Sequence, residues 1–133
     1  MSVFGMLLVL LAGQPAAPAS ASPIVVGNFY YAKTGKAAEV LAHRRHACDV
    51  LAKLGVPRGR VYRRLQGSSP DLPDVIWECE YPDAAARERA LGVVASSKEF
   101  DGVMAHMQTL LRRFERSVCE EVSAEGDASA SAR

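Results

Sequence analysis

The sequence has little of what most often reveals a function directly: no charge excess, no cysteine framework and no long hydrophobic run. Its 133 residues carry 16 Lys and Arg against 15 Asp and Glu, so no basic stripe can neutralise a run of phosphates, and nucleic acid is not expected as a partner. The three cysteines, Cys48, Cys79 and Cys119, show no C-x-x-C pair and no metal-ligand spacing. All three lie in predicted helix or strand, which favours free, buried thiols. A disulfide between Cys48 and Cys79 remains an alternative if the protein is exported.

The chain begins with a short apolar run, Val3–Ala12, followed by a Pro/Ala/Ser-rich stretch. The run is much shorter than the roughly 20 residues that a transmembrane helix needs, so no stable membrane span is expected. It is typical of the apolar segment of a secretory signal peptide, with a small-x-small cleavage pattern at 19–21, although no Lys or Arg precedes it. We therefore expect 1–21 to be a signal peptide and the mature protein to be exported, periplasmic or secreted. A misplaced start codon would leave the protein cytoplasmic.

The rest of the chain alternates between strand-like and helix-like patterns. One domain is predicted over 22–122, and 123–133 is expected to be a disordered polar tail. The last helix is expected to be capped by Ser96, with Glu99 as its capping-box partner, and to continue its apolar face to Phe114. The predicted strands lie at 24–33, 60–66, 74–81 and 115–122, and the other helices at 36–54 and 84–94.

This order of elements predicts an α+β fold of the ferredoxin-like βαββαβ type. Right-handed crossovers then give a four-stranded antiparallel sheet with the helices on one face. Alternation in the third strand places Trp77 and Tyr81 under the helices and Glu78 and Glu80 on the other face. The two glutamates are expected to face arginines on the second strand rather than to act as paired catalytic carboxylates. The open face is either solvated or covered by a second copy.

Four segments carry a family pattern: FYYAKTG at 29–35, LGVPRGRV at 54–61, VIWECEYPD at 75–83 and SKEF at 97–100. Together they resemble the NIPSNAP-like proteins of the dimeric α/β-barrel (ferredoxin-like) superfamily, over nearly the whole predicted domain. The resemblance implies that two copies pair their sheets into a closed barrel. It also implies a cavity between sheet and helices or inside the barrel, and a role whose chemistry is uncharacterised.

Relatives in the wider superfamily indicate two chemistries. Some are cofactor-free monooxygenases, and others bind or degrade haem with an Asn near the first strand, a Trp on the third and a His on the following helix. Asn28 and Trp77 stand in comparable places, but 87–89 reads Arg-Glu-Arg where the histidine would lie, and His106 comes one helix later. The resemblance therefore does not extend to haem, and no cofactor is expected.

Two arginines conflict with the helical patterns around them. Arg44 falls in the middle of the apolar stripe of the first helix, and Arg87 falls among apolar residues of the second. Both helices are expected to begin at the same end of the sheet, which would bring the two guanidinium groups close together. They could clamp a carboxylate or another anion. Alternatively, they could pair with glutamates or backbone carbonyls, or extend to water, because an unpaired buried charge is unfavourable.

Aromatic residues and a histidine extend this candidate ligand-binding set. Trp77, Tyr81 and Tyr30 could line an apolar cavity or could simply form the core. His43 lies at the edge of the same stripe as a proton-transfer group or a surface histidine, and the sequence offers no third ligand to complete a metal site with His46.

No nucleophile with its base and no phosphate loop is present, so the predicted function is a homodimeric binding module for a small organic molecule, an anion being one option. A cofactor-free monooxygenase or isomerase, and a structural or protein-interaction role, are the alternatives. The candidate ligand-binding residues are Arg44, Arg87, Trp77, Tyr81, His43 and Tyr30.

Overall fold

The computed structural model describes residues 22–125, and these form a four-stranded antiparallel sheet with three helices on one face. The sheet order is β2-β3-β1-β4. The predicted ferredoxin-like fold is therefore confirmed. The predicted signal peptide at 1–21 and residues 126–133 of the predicted tail lie outside the described residues. In chain order the elements are β1 (Ile24–Ala32), α1 (Ala37–Lys53), β2 (Arg60–Arg63), β3 (Val75–Tyr81), α2 (Ala84–Ala95), α3 (Lys98–Leu110) and β4 (Leu111–Glu120).

The helix ends follow local capping chemistry. Asp83 caps α2, and its side chain accepts a hydrogen bond from the backbone N–H of Ala86 at 2.7 Å. The predicted cap of α3 is wrong by one residue, because the Ser97 hydroxyl, not that of Ser96, accepts from the N–H of Phe100 at 3.1 Å. Ser96 instead closes α2, and its own hydroxyl donates to the Gly92 carbonyl. Two adjacent serines thus end one helix and begin the next.

The predicted boundary between α3 and β4 is also wrong. The helix ends at Leu110 and the strand begins at the next residue, so Phe114 belongs to β4 and not to the apolar face of α3. Leu110 and Phe114 are four residues apart, a spacing that keeps one face in a helix and also in a strand, so the pattern does not separate the two. Pairing with β1 decides the outcome, since the Leu110 carbonyl accepts from the backbone N–H of Lys33 at 2.9 Å. The second strand is shorter than predicted and ends at Arg63.

The core lies between the sheet and the helices, and β3 alternates as predicted. Trp77 and Tyr81 are buried under the helices, whereas Glu78 and Glu80 are exposed on the open face. The expected arginine partners are only half present, because Arg60 faces Glu78 in the register but β2 begins too late to reach Glu80. Among the described residues, neither glutamate forms an ion pair.

The cysteines are all free, but they differ in exposure. Cys48 and Cys79 are buried as predicted, whereas Cys119 is exposed, which corrects the expectation of three buried thiols. Cys119 lies on β4, which has only β1 as a neighbour and forms one edge of the sheet. Within residues 22–125, no helix has the length and apolar character to cross a bilayer.

The two arginine-bearing helices begin at opposite ends of the sheet, contrary to the expectation. β1 and β3 are antiparallel neighbours, with Ile24 opposite Tyr81 and Tyr30 opposite Val75. The chain therefore enters α1 from the end of the sheet at Ala32 and enters α2 from the end at Tyr81. Arg44 and Arg87 line one cavity because both helices cross the same face of the sheet.

Candidate functional site

A cavity of about 420 Å³ lies between the sheet and the helices. Its floor crosses three strands, since Asn28 of β1 is paired with Trp77 of β3 on one side and Arg116 of β4 on the other. Its volume is within the range of about 300–1,000 Å³ typical of small-molecule sites, and most of its wall is apolar. The helices and the loop after α1 supply that wall with Leu51, Val56, Pro57, Ala90, Leu91, Val94, Ala95, Phe100 and Met104.

Arg44 carries a charge into this apolar environment. Its side chain is 1% exposed, and among the described residues it forms no ion pair with a carboxylate. Nη1 donates to the Tyr30 hydroxyl at 3.1 Å, and Nη2 lies 3.7 Å from the Cys48 sulfur. The guanidinium carbon is 4.6 Å from the Trp77 ring centroid, close enough for a cation–π interaction. Of the buried side-chain nitrogen and oxygen atoms in residues 22–125, only Arg44 Nε has no hydrogen-bond partner.

Hydrogen bonds connect Arg44 to Arg116 through two buried side chains. Arg116 Nε donates to Asn28 Oδ1 at 2.8 Å, which fixes the orientation of the amide because a guanidinium only donates. Asn28 Nδ2 then donates to the Tyr30 hydroxyl at 3.2 Å, so that hydroxyl accepts from both Asn28 and Arg44. Tyr30 is fully buried and Asn28 is 4% exposed. A cation that can only donate stands at each end, so donors outnumber acceptors along the chain.

Arg87, Arg116 and Tyr81 also line this cavity. Burial raises the pKa of the Tyr81 hydroxyl well above its usual range, and the two arginines oppose that rise through their positive charges. The Tyr81 hydroxyl is therefore a neutral polar group in the cavity wall. The Arg87 side chain is 22% exposed, and its ionic partner is the neighbouring Glu88 at 4.0 Å. Among the described residues that line the cavity, Asp101 is the only carboxylate, so the charged side chains of this part of the chain sum to a positive value there.

The structure brings together most of the residues singled out from the sequence. Arg44, Arg87, Trp77 and Tyr81 line one cavity, and Tyr30 lies beneath it, hydrogen-bonded to Arg44.

His43 lies elsewhere, between α1 and α3. Its Nε2 donates to the Val103 carbonyl at 2.7 Å, and its ring lies 4.7 Å from that of His106 and 5.9 Å from that of His46. No cluster of three His, Cys, Asp or Glu side chains suited to a metal ion occurs within 22–125.

Asn28 and Arg116 line the cavity but were not among the candidate ligand-binding residues. Asn28 had a usable signal, because strand alternation places it on the same face as Val26 and Tyr30, where a polar side chain is out of place. Arg116 had no such signal in the sequence, because it lies in a polar stretch of β4 that contains several arginines. Only its register opposite Asn28 marks it.

A second cavity, of about 430 Å³, lies between α1 and β2 and is lined mainly by charged and polar groups. Arg45, Arg58 and Arg63 surround it, and Arg58 is already paired with Asp49 at 2.6 Å. Neither member of that pair is buried, so water can hydrogen-bond the charged groups of this cavity. The cavity under the helices is the stronger candidate.

The protein belongs to the class of ferredoxin-like folds that have a cavity beneath their helices. This chain resembles several solved structures of that class. A NIPSNAP family protein from Agrobacterium tumefaciens is 19% identical, with a TM-score of 0.59 over 78% of this chain and 90% of its own. A dimeric protein of unknown function and ferredoxin-like fold from Bacteroides fragilis is 10% identical, with a TM-score of 0.57 over 74% and 96%.

A third similar structure is that of a mutant of SnoaB, a cofactor-independent oxygenase from Streptomyces nogalater. It is 14% identical, with a TM-score of 0.54 over 81% of this chain and 99% of its own. No protein-family model matches the sequence, and no curated protein matches it. The predicted likeness to NIPSNAP-like proteins is therefore confirmed at the level of the fold.

Proposed function

We propose that this protein binds a small organic anion in the cavity under its helices, with Arg44 holding the anionic group. The observation that carries the proposal is the buried guanidinium of Arg44, which has no carboxylate partner among the described residues and one unpaired N–H. Burying a charge without a counter-charge is unfavourable, and well-packed hydrophobic residues would stabilise the fold as well or better. A guanidinium with free donors beside a cavity is instead a receptor for a carboxylate or a similar anion.

The rest of the wall suits the body of such a molecule. Trp77 presents a buried ring beside Arg44, and Leu51, Phe100 and Met104 add apolar surface. Tyr81, kept protonated by burial, supplies a neutral donor. A few convergent polar groups on an apolar wall are the usual composition of a small-molecule site, in which the apolar contacts give affinity and the polar groups fix orientation.

Binding of phenylacetate to the full chain and to an Arg44→Met variant tests the proposal. Methionine keeps the apolar contacts of the arginine stem and removes the charge, so the free variant should be as stable as the parent or more stable. Phenylacetate should raise the melting temperature of the parent but not of the variant. Arg45→Met is the matched control, because Arg45 is exposed on the same helix and does not line this cavity.

The opposite result would show a structural arginine. If Arg44→Met lowers stability by roughly 3 kcal/mol and phenylacetate leaves the parent unchanged, Arg44 serves the fold and the proposal is wrong.

A second candidate is a cofactor-independent oxygenase, favoured by the fold likeness to the oxygenase from S. nogalater. In that case the bound molecule would itself react with oxygen, and Tyr81 would hold it by donating a hydrogen bond. Oxygen uptake with phenolic aromatic acids, without added cofactor, separates the candidates. Catalysis requires uptake that depends on the protein and falls in Tyr81→Phe, whereas a binding module gives stabilisation without uptake.

We also propose that the protein is an exported homodimer whose open sheet faces pack together. The open face carries partly exposed apolar side chains from three strands, namely Tyr62, Phe29 and Ile76, and one protein of the same fold is dimeric. Light scattering at micromolar concentration should report twice the chain mass of 14.3 kDa, less any leader that has been removed. A monomer there would contradict the dimer, and recovery of the intact Met1 form from the cytoplasm of the native host would contradict export.

A further inference from the structure

The positive charges around the cavity are divided between two places. Arg44 descends from α1 onto Trp77, with its guanidinium carbon 4.6 Å from the ring centroid. Arg87 and Arg116 line the same cavity from α2 and β4. On the floor, Trp77 and Arg116 are separated by one intervening strand, about 10 Å at the usual strand spacing. The cavity therefore has one cationic end under α1 and a second one beside α2 and β4.

The second end is not neutralised by the protein. Arg87 has only Glu88, an adjacent residue that is 73% exposed and lies 4.0 Å away, and such an exposed pair contributes little. Arg116 forms no ion pair within residues 22–125, and its Nε donates to the neutral amide of Asn28. Arg116 is exposed, and its terminal guanidinium nitrogens, at the wall of the cavity, donate to no described residue. Two like charges thus line the same cavity, and among the described residues the lining carboxylate, Asp101, forms an ion pair with neither of them.

Asn28 holds the second end in register with the first. Because Arg44 and Arg116 only donate, the Asn28 and Tyr30 side chains between them use their acceptors inside the protein. The Tyr30 hydroxyl already accepts two of these bonds, and the terminal donors of Arg116 remain available. A ligand that pairs with the free donors of Arg44 and Arg116 therefore brings acceptors to both ends.

We infer that the cavity takes a dicarboxylate whose two acid groups are separated by an apolar segment about the size of one aromatic ring. This inference rests on the proposed function, since Arg44 binds the first carboxylate. Arg87 and Arg116 bind the second carboxylate together, and the Tyr81 hydroxyl adds a neutral donor beside them. The apolar segment packs against Trp77 and the helix residues between the two ends. Arg87 and Arg116 are thus specificity-determining residues, which distinguish a diacid from a monoacid.

Three probes test this by calorimetry on the full chain: 1,4-phenylenediacetate, its monomethyl ester and phenylacetate. The diacid should bind about tenfold or more tightly than the ester, the effect of one added charge-assisted interaction. Arg87→Gln and Arg116→Gln should each reduce diacid binding and remove most of that preference, while phenylacetate affinity stays within about twofold. Arg89→Gln is the matched control, because Arg89 is exposed on α2 and does not line the cavity.

The outcomes distinguish the dicarboxylate inference from the proposed anion site at Arg44. Equal binding of diacid and ester by the parent overturns the dicarboxylate inference and leaves the anion site at Arg44 intact. An equal loss of phenylacetate and diacid in Arg116→Gln also overturns it, since Arg116 would then act on the first end. If no probe binds, or if Arg44→Met binds all three as the parent does, the proposed function fails and the inference fails with it.

Discussion

Tyr30→Phe tests whether the buried hydrogen-bond chain is arranged as the structure shows. The substitution removes one oxygen, leaves the ring in place and opens no cavity in the core. That oxygen accepts from Arg44 Nη1 at 3.1 Å and from Asn28 Nδ2 at 3.2 Å, and Tyr30 is fully buried, so water cannot replace it. Both donors lose their acceptor at once.

The expected loss of stability follows from those two donors. A buried donor left without a partner costs about 1–3 kcal/mol, so the free energy of unfolding should fall by about 3 kcal/mol. In a domain of this size, that corresponds to a fall in melting temperature of about 12 °C or more.

Urea unfolding followed by fluorescence suits the measurement, because Trp77 is the only tryptophan and its ring lies 4.6 Å from the Arg44 guanidinium carbon. A double-mutant cycle with Arg44→Met then isolates the pair. The second substitution removes the charged donor that the first one orphans, so the double variant should lose about 1–2 kcal/mol less than the sum of the single changes. A loss below about 1 kcal/mol in Tyr30→Phe, or strict additivity in the cycle, would refute the hydrogen-bond chain.

Three further predictions concern the scaffold around the site. Hydrogen bonds from Arg113, and secondly from Tyr31, hold the pKa of Glu115 below its usual range. The stability that this carboxylate adds is therefore full above about pH 4.3, and it is lost as the pH falls through the lowered pKa. Glu115→Gln should therefore melt below the parent at pH 7, with the difference shrinking in acid, and an equal difference at both pH values would contradict this. Iodoacetamide at pH 8 should label the exposed Cys119 within minutes and spare Cys79, whose thiol pKa is raised by burial, and peptide mapping by mass spectrometry gives the order. Gly59→Ala should destabilise the fold by several kcal/mol in urea unfolding. The φ angle of Gly59 is +69°, and a Cβ there would meet the Trp77 indole and the Glu78 carbonyl, 2.6 Å away. Gly55 has a similar φ of +75° but open space around it, so Gly55→Ala should lose only about 1 kcal/mol. Similar losses for the two glycines would mean that the Trp77 contact is not tight.

The residues that sequence reasoning could find are those that break a local pattern. Arg44 interrupts an apolar helical stripe, and strand alternation settles on which side Trp77 lies. Periodicity reports burial, and a charge in a buried position is informative because it needs a compensating reason. Arg116 breaks no pattern, and its importance comes from pairing with Asn28 across two strands that are distant in sequence. Only the register of the sheet could show it.

Element boundaries were missed where two periods coincide or where tertiary pairing overrides local preference. Residues 110 and 114 share a face in both helix and strand, so the end of α3 was decided by a backbone bond to Lys33. The expectation that α1 and α2 begin at the same end failed because β1 and β3 are adjacent and antiparallel. Both errors come from contacts between distant segments, which local patterns do not contain.

The same contacts explain why Arg44 is held so firmly in an unfavourable place. The Trp77 indole N–H donates to the Arg58 carbonyl at 2.7 Å, and Gly59 leaves the indole the room that a Cβ would fill. The ring is thereby fixed on the floor, and the guanidinium lies over it, tied to Tyr30 on one side. A methionine at this position would need none of these arrangements, since a flexible apolar side chain fills such a space without a partner. The loop after α1, the indole and the tyrosine hydroxyl thus all hold the guanidinium in place, which is the arrangement that the proposed binding role of Arg44 requires.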